Sequence, residues 1–178
     1  MVPTPIRKAE PIVLFLRMQP HWMFIDELRR FVESFCAVAC PGSDREWQLA
    51  LAAQELMQNA IANGAGSDVE LRLALDLADS QVRISVTNPT TPEAQAVLQE
   101  RLDALYAEPD PLRCYLGRMD TDPGERGGLG LARIRCEAEL DLQVEGDGKR
   151  LTVHAYGALA TPGQAARTQA AFVTRAAS

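Results

Sequence analysis

The segment Gln54–Gly64, with the sequence QELMQNAIANG, decides how the rest of this chain is interpreted. Apolar residues recur here and in the preceding turn at the spacing of one buried helical face. They are Leu49, Ala52, Ala53, Leu56, Met57, Ala60 and Ile61. At about 100° per residue, Asn59 falls on the border of that face and Asn63 within it, with Glu55 one turn before Asn59. Half-buried polar groups without partners cost roughly 1–3 kcal/mol each, so we expect partners for these side chains.

The composition is that of one globular domain with a negative charge. Of the 178 residues, 47% are hydrophobic and 24% are charged, which is enough for a sizeable core. A net charge of -6 argues against nucleic acid and anionic membranes as partners, because both require a basic surface. The four cysteines include no C-x-x-C pair, which argues against a zinc site. With neither a signal peptide nor a long apolar run, we expect a cytoplasmic protein without a membrane span.

The hydrophobic patterning predicts an α+β two-layer sandwich. The central helix is expected to start after a cap at Ser43 or Asp44 and to end in the segment 63–66, where a glycine, Gly64 or Gly66, supplies the left-handed conformation. Strands are predicted at 11–18, 69–77, 81–87, 140–144 and 151–156, and further helices at 21–39, 92–107, 111–119 and 131–138. We expect one domain over 10–157, a lead-in over 1–9, and a tail or loose helix over 158–178.

A glycine cluster formed by Gly127, Gly128 and Gly130 leads into a predicted helix. The first amides of a helix lack intrahelical partners and lie at the positive end of its dipole, so such a cluster can bind an anion. Arg126 would add a charge-assisted contact. A surface loop that merely turns the chain has the same glycine content, so the glycines alone leave both interpretations open. The pattern G-x-x-x-x-G-K-[ST] is absent, and Arg133 stands where a dinucleotide fingerprint has Gly or Ala.

Together, the two segments resemble the GHKL, or histidine kinase-like, ATPases with the Bergerat fold. The sequence ELMQNA over 55–60 is similar to the family's E-L-x-x-N-A helix, and GLGL over 128–131 is similar to its later G-x-G-L phosphate loop. The motifs stand in the family's order, and the resemblance covers roughly 43–157. It implies a mixed, mostly antiparallel sheet with helices on one face.

The resemblance implies ATP and Mg²⁺ as ligands. Asn59 would coordinate Mg²⁺ through its amide oxygen, and Glu55 would orient or deprotonate the attacking water or hydroxyl group. Asn63, a further turn on, would support the nucleotide. The phosphate clamp would consist of Arg126, Gly127, Gly128, Leu129 and Gly130. The alternative for Asn59 and Asn63 is that they are capping or core amides bonded to backbone.

The sequence TNPTT over 87–91 stands where the family has D-x-G-x-G. Asn88 takes the place of the aspartate that holds the adenine amino group. An amide oxygen can accept the same hydrogen bond, but more weakly because it is neutral. This departure, followed by a helical lid and a Gly-Gly-x-Gly-Leu run, is similar to the stand-alone SiaB-type bacterial protein kinases, which neighbour the anti-sigma serine kinases.

That branch implies an ATP- and Mg²⁺-dependent serine/threonine kinase that phosphorylates a small cytosolic regulator, STAS-like or anti-anti-sigma-like. Its signalling would lead toward cyclic-di-GMP and biofilm control, and a homodimer is one arrangement we keep open. Two other hypotheses stay open. A nucleotide-sensing module that sequesters a partner without catalysis is favoured by Asn88 and Pro89, whereas Glu55 favours catalysis. A plain structural domain requires Glu55, Asn59 and the glycine cluster to coincide by chance.

Overall fold

The computed structural model describes residues 10–41, 45–64, 68–120 and 128–159. One sheet contains the strands β1 Ile12–Met18, β2 Val69–Asp76, β3 Gln81–Pro89, β4 Asp141–Gly146 and β5 Arg150–Ala158. Its order is β1-β2-β3-β5-β4, and every neighbouring pair is antiparallel. The helices are α1 Ile25–Ala39, α2 Glu46–Asn63, α3 Pro92–Tyr106, α4 Pro111–Met119 and α5 Leu129–Cys136, with a 3-10 turn at Trp22–Phe24. The predicted α+β class is confirmed.

Alternation along the central strands builds the core on one face of the sheet. Side chains two residues apart point to the same face of a strand. The buried ones are Leu71, Leu73 and Leu75 on β2, Val82, Ile84 and Val86 on β3, and Leu151, Val153 and Ala155 on β5. They share one cluster with the buried residues of the helices, so the helices cover this face.

Strand β1 lies at an edge of the sheet, although the sequence predicted a buried strand. It pairs with β2, and Phe15 remains 56% exposed. Leu14 and Leu16 are only half-buried against the core. A long apolar run therefore forms an edge strand here, because pairing position as well as composition decides how deeply a strand is buried.

Helix α2 is the central helix of the fold, and it is buried more completely than its predicted single face. All five residues from Leu49 to Ala53 are buried, because α1 packs against α2 in addition to β2, β3 and α5. The predicted caps Ser43 and Asp44 lie outside the described residues. Gly64 is not left-handed, since its φ is -79°. A Cβ at Gly64 would lie 2.5 Å from the Ala60 carbonyl oxygen, so a close backbone approach is what requires glycine there.

A buried arginine fixes the start of α2. Arg45 is 3% exposed and donates hydrogen bonds to the carbonyl oxygens of Ala138 and Ala158. Gln48 adds a 3.1 Å hydrogen bond from Nε2 to the Glu137 carbonyl oxygen. Helix α2 is thus tied to the end of α5 and to the last strand, which sets where its later residues lie.

Two predicted boundaries near the candidate site are wrong. Strand β3 continues to Pro89, so Asn88 lies in the sheet opposite Leu151 rather than in a turn. Strand β5 starts at Arg150, one residue before the predicted limit, and this residue pairs with Pro89. Helix α5 begins at Leu129, so Gly130 is helical rather than part of a loop. The predicted lead-in, residues 1–9, and all but the first two residues of the predicted tail lie outside the described residues. Among the described helices, none is long and apolar enough to cross a membrane.

Candidate functional site

An open cavity of about 410 Å³ lies between α2, β3, β5 and α3. Asn59, Asn63 and Asn88, three of the predicted site residues, all line it. The apolar part of its wall includes Leu56, Val86, Val97, Leu98, Leu151 and Val153. Small-molecule sites combine this size and apolar lining with a few polar groups that fix the orientation of the ligand. The cavity is therefore suited to a small ligand with an apolar part and a few polar groups.

The side chain of Asn59 combines burial with a hydrogen-bonding group that the described residues leave without a partner. The residue is half-buried, as predicted, and its Nδ2 atom is buried without a hydrogen-bond partner among the described residues. Such a group is costly unless something binds it. Among the described residues, Asn59 Nδ2 therefore does not make the backbone hydrogen bond that the alternative, a core amide, requires.

Asn63 differs from Asn59, and its predicted place on the buried face is wrong. The side chain is exposed, because it lies in the last turn of α2, beyond the well-packed part of the helix. Its Nδ2 donates a 2.9 Å hydrogen bond to the Asn59 carbonyl oxygen. Asn63 thus lines the cavity, but its side chain already bonds to the backbone of its own helix.

Asn88 is buried at the cavity end of β3, with only 3% of its surface exposed. Its Nδ2 donates a 2.8 Å hydrogen bond to the Pro89 carbonyl oxygen. This bond uses one of the two N–H groups of the amide, so the second N–H and the amide oxygen are left for a ligand. The strand end is held in place because the Thr90 amide donates to the Lys149 carbonyl oxygen at 2.9 Å.

Glu55 lies one helical turn before Asn59 and outside the lining of the cavity. It is buried, and its Oε1 accepts a 2.6 Å hydrogen bond from Arg133 Nη1. Its Oε2 lies against Gly130, where a Cβ would overlap this oxygen. Burial raises the pKa of Glu55, and the Arg133 guanidinium opposes the rise. The structure thus places a buried, ion-paired carboxylate beside the first turn of α5.

Arg133 and Glu137 were missed as site residues by sequence reasoning. Arg133 donates from Nε and Nη2 to the two carboxylate oxygens of Glu137, at 3.1 and 3.2 Å. The hydrogen bonds from Arg133 lower the pKa of Glu137, and the same bonds raise the pKa of Arg133. Their i,i+4 spacing on a predicted helix is a sequence signal for an ion pair, but it does not indicate that the pair meets Glu55.

The start of α5 brings the glycine motif to the α2 motif. Gly128, with φ of 93°, is the left-handed residue that precedes Leu129, the first residue of the helix. Gly130 lies in the first turn, and a Cβ there would be 3.7 Å from Asn59 Nδ2. Asn59 is therefore the side chain that joins the cavity to the α5 end. Arg126 and Gly127 lie outside the described residues, so their roles stay predictions.

A metal ion at this site would depend on few protein ligands. Within the described residues, no group of three or more His, Cys, Asp or Glu side chains could hold a metal ion. Mg²⁺ is commonly bound by one or two protein oxygens together with water and phosphate oxygens. In Asn59, at the junction of cavity and helix start, the amide oxygen is the atom that would bind the metal, whereas the unpaired Nδ2 could only donate a hydrogen bond to the ligand.

Comparison with known proteins identifies the family. The model of the histidine kinase-like ATPase domain matches residues 24–155. No curated protein matches the chain. Among solved structures, the fold is similar to that of a chain in the crystal structure of the SiaB–SiaC complex from Pseudomonas aeruginosa, with a TM-score of 0.59 and 12% sequence identity. The match covers 81% of this chain and 89% of that chain. The resemblance inferred from the two motifs is confirmed.

Proposed function

This chain belongs to the histidine kinase-like ATPase family, and from this we propose that it is an ATP- and Mg²⁺-dependent serine/threonine protein kinase. Its substrate would be a small regulatory protein. The observation that carries the proposal is the meeting of the two motifs: Asn59 lines the cavity and also adjoins Gly130, beside the buried Glu55. A nucleotide in the cavity would direct its phosphates toward this junction.

The cavity supports binding of the adenosine part of ATP. Apolar side chains from α3 and from strands β3 and β5 offer contact for a purine ring. The amide oxygen of Asn88 would accept a hydrogen bond from the adenine amino group while its nitrogen donates to Pro89. Asn63 would contact the ligand at the exposed rim.

The residues at the α5 end support phosphoryl transfer. Mg²⁺-bound ATP supplies the phosphoryl group and neutralises charge on the phosphates. Asn59 would hold the metal, and the amides at the start of α5, with Arg126 and Gly127, would hold the phosphates. Glu55 would take the proton of the substrate hydroxyl group. The hydroxyl oxygen would then form the new bond to phosphorus while the bond from phosphorus to the ADP oxygen breaks. A buried carboxylate near Asn59 is suited to that step.

The partner is proposed by analogy. The structural neighbour was solved as a SiaB–SiaC complex, so a protein with this fold forms an assembly with a second protein. We extend this to a small STAS-like or anti-anti-sigma-like regulator for the present chain, and a homodimer is part of the same proposal. The net charge of -6 is compatible with a protein partner rather than nucleic acid.

A second candidate function is a nucleotide-sensing module that sequesters its partner without phosphorylating it. Two observations favour it. Asn88 is a neutral substitute for a carboxylate, and one oxygen of Glu55 is already bound by Arg133. A domain of this kind would bind Mg²⁺·ATP and change its affinity for the partner without turnover.

Calorimetry and phosphate transfer separate these functions. We expect saturable heat when Mg²⁺·ATP is titrated into the wild-type protein, and loss of the Mg²⁺ dependence in Asn59→Ala. With γ-³²P-labelled ATP, the kinase proposal requires label on a small regulator encoded beside this chain's gene. Binding without label on any such regulator would support the sensing module instead, and no heat at all would contradict both.

A further inference from the structure

A chain of charged contacts surrounds the proposed base, and the family motifs do not include it. Arg133 lies between two carboxylates, with Nη1 2.6 Å from Glu55 Oε1 and with Nε and Nη2 on the oxygens of Glu137. Two parallel hydrogen bonds from one edge of a guanidinium fix the plane of the group. The nitrogen that contacts Glu55 is therefore held in one place by Glu137.

Glu137 is itself tied to a second helix. Gln48 of α2 donates a 3.1 Å hydrogen bond to its backbone carbonyl oxygen. The pKa of its carboxylate is lowered mainly by Arg133 and also by the Tyr115 hydroxyl of α4. The guanidinium of Arg133 thus rests on a residue whose backbone is fixed by α2. Positions supported in this way are the ones that hold a reactive group in a single orientation.

The contact decides which oxygen of Glu55 is available. Oε1 is occupied by Arg133, while Oε2 lies against Gly130, whose missing Cβ leaves the space that this oxygen fills. We propose that Arg133 is a positioning residue: it anchors Oε1 of Glu55 so that Oε2 faces the start of α5, where the phosphates would bind. This inference rests on the proposed role of Glu55 as the base.

The surrounding charges explain why such an anchor is needed. Burial favours the neutral form of Glu55, and a neutral carboxyl group cannot accept a proton. Among the described residues, the charged groups facing it are Arg133 of α5, Glu137 directly after α5, and Arg29 of α1. Arg29 Nη1 donates a 3.1 Å hydrogen bond to Gln54 Oε1. Both arginines lower the pKa of Glu55, and Glu137 raises it. Of the two arginines, Arg133 is the one in direct contact.

The first test measures the ionisation of Glu55 without requiring turnover. The carboxyl ¹³C signal of Glu55, assigned by its loss in Glu55→Gln, is followed as a function of pH in the nucleotide-free protein. We expect the midpoint to rise in Arg133→Gln, because the cation in contact is removed. In Glu137→Gln we expect it to fall, because Arg133 is then less neutralised. These opposite shifts distinguish positioning from a general loss of structure.

Arg135→Gln is the matched control, since it removes the same charge from the same helix. Arg135 bonds to the carbonyl oxygen of Leu105 and stacks on Tyr106, away from Glu55. The Arg135→Gln substitution should reduce the stability of the fold and leave the midpoint of the Glu55 carboxyl titration unchanged. An unchanged midpoint in both Arg133→Gln and Glu137→Gln would overturn the inference.

The second test uses turnover. In Arg133→Gln we expect Mg²⁺·ATP binding to be kept, turnover at pH 7 to fall by on the order of tenfold, and the acid limb of the pH profile to move to higher pH. Arg133→Lys should recover part of the loss, because it restores the charge but not the two-point contact with Glu137. If the wild-type protein shows no turnover, the proposed kinase activity is wrong. The ¹³C titration of Glu55 still tests the positioning role of Arg133 in that case. Turnover in Arg133→Gln with a wild-type pH profile would contradict the inference alone.

Discussion

The two ends of the candidate site are held in different ways. At the α5 end, Glu55 is bound by an arginine from another helix and packed against Gly130. At the β3 end, Asn88 bonds to the carbonyl oxygen of its own neighbour, Pro89. The α5 end therefore depends on charged side chains brought together by tertiary contacts. The β3 end depends on a hydrogen bond between neighbouring residues of one strand. We infer that phosphoryl transfer and nucleotide affinity can be changed separately.

The largest effect is expected from Glu55→Gln. The substitution keeps the shape and leaves Arg133 paired with Glu137, but it removes the group that would accept a proton. Turnover should fall by about 10²–10⁴-fold while the affinity for Mg²⁺·ATP stays within about twofold. Calorimetry and a steady-state assay measure the two quantities. A parallel loss of affinity would show that the α5 end also holds the nucleotide, and the proposed separation would then be wrong.

A pair of glycine substitutions tests the two ends directly. In Gly130→Ala the new Cβ would overlap Glu55 Oε2, and in Gly64→Ala it would meet the Ala60 carbonyl oxygen at 2.5 Å. Both should destabilise the fold by about 1–3 kcal/mol, because crowded atoms must move. We expect only Gly130→Ala to lower turnover beyond this loss, by roughly tenfold or more, since it displaces the base.

Denaturant unfolding and turnover per folded molecule measure this pair. Gly64 lies near the other end, where its Cβ would be 3.5 Å from Asn88 Nδ2, which is ordinary contact distance. Its alanine variant should therefore change nucleotide affinity slightly at most. Equal losses of turnover in the two variants would contradict the role of Gly130 at Glu55.

Asn88→Asp should raise the affinity for ATP and lower stability. A carboxylate accepts the adenine amino group more strongly than an amide does, which we expect to tighten binding by up to about tenfold. The same change removes the hydrogen bond to Pro89 and turns a negative oxygen toward that carbonyl group, so the melting temperature should fall. Calorimetry and thermal unfolding measure the two effects. Weaker ATP binding in the folded variant would contradict the place of Asn88 beside the adenine.

The smallest effect is expected from Asn63→Ala. The side chain is exposed and bonds only to its own helix among the described residues, so its loss should cost about 0.5 kcal/mol of stability or less. The affinity for Mg²⁺·ATP should change by no more than about twofold. The matched substitution Asn59→Ala should abolish the Mg²⁺ dependence of binding. Similar results for the two variants would contradict the assignment of the metal to Asn59 and of the exposed rim to Asn63.

Much of the fold could be predicted because it is encoded in short-range patterns. Alternation identified β2 and β3, the Gly146-Asp147-Gly148 turn indicated the closing pair β4 and β5, and the predicted limits of α4 are the observed ones, Pro111–Met119. The errors occur where neighbours in space decide the outcome. Asn88 joins the sheet because β5 is long enough to pair with it, and β1 is half-exposed because it lies at the edge. Neither fact is visible in the segment itself.

The sequence by itself determined the class of the fold, the family, and the two motifs around Asn59 and Gly130, because residue types at fixed spacing carry that information. The tertiary structure alone decided that Arg133 contacts Glu55 and that Gly130 leaves room for the second oxygen of Glu55. It also decided that, among the described residues, Asn59 Nδ2 has no hydrogen-bond partner whereas Asn63 Nδ2 has one. Glu55 and Arg133 are 78 residues apart. Only the packing of α5 on α2 brings them together, since no local pattern specifies a contact between distant segments.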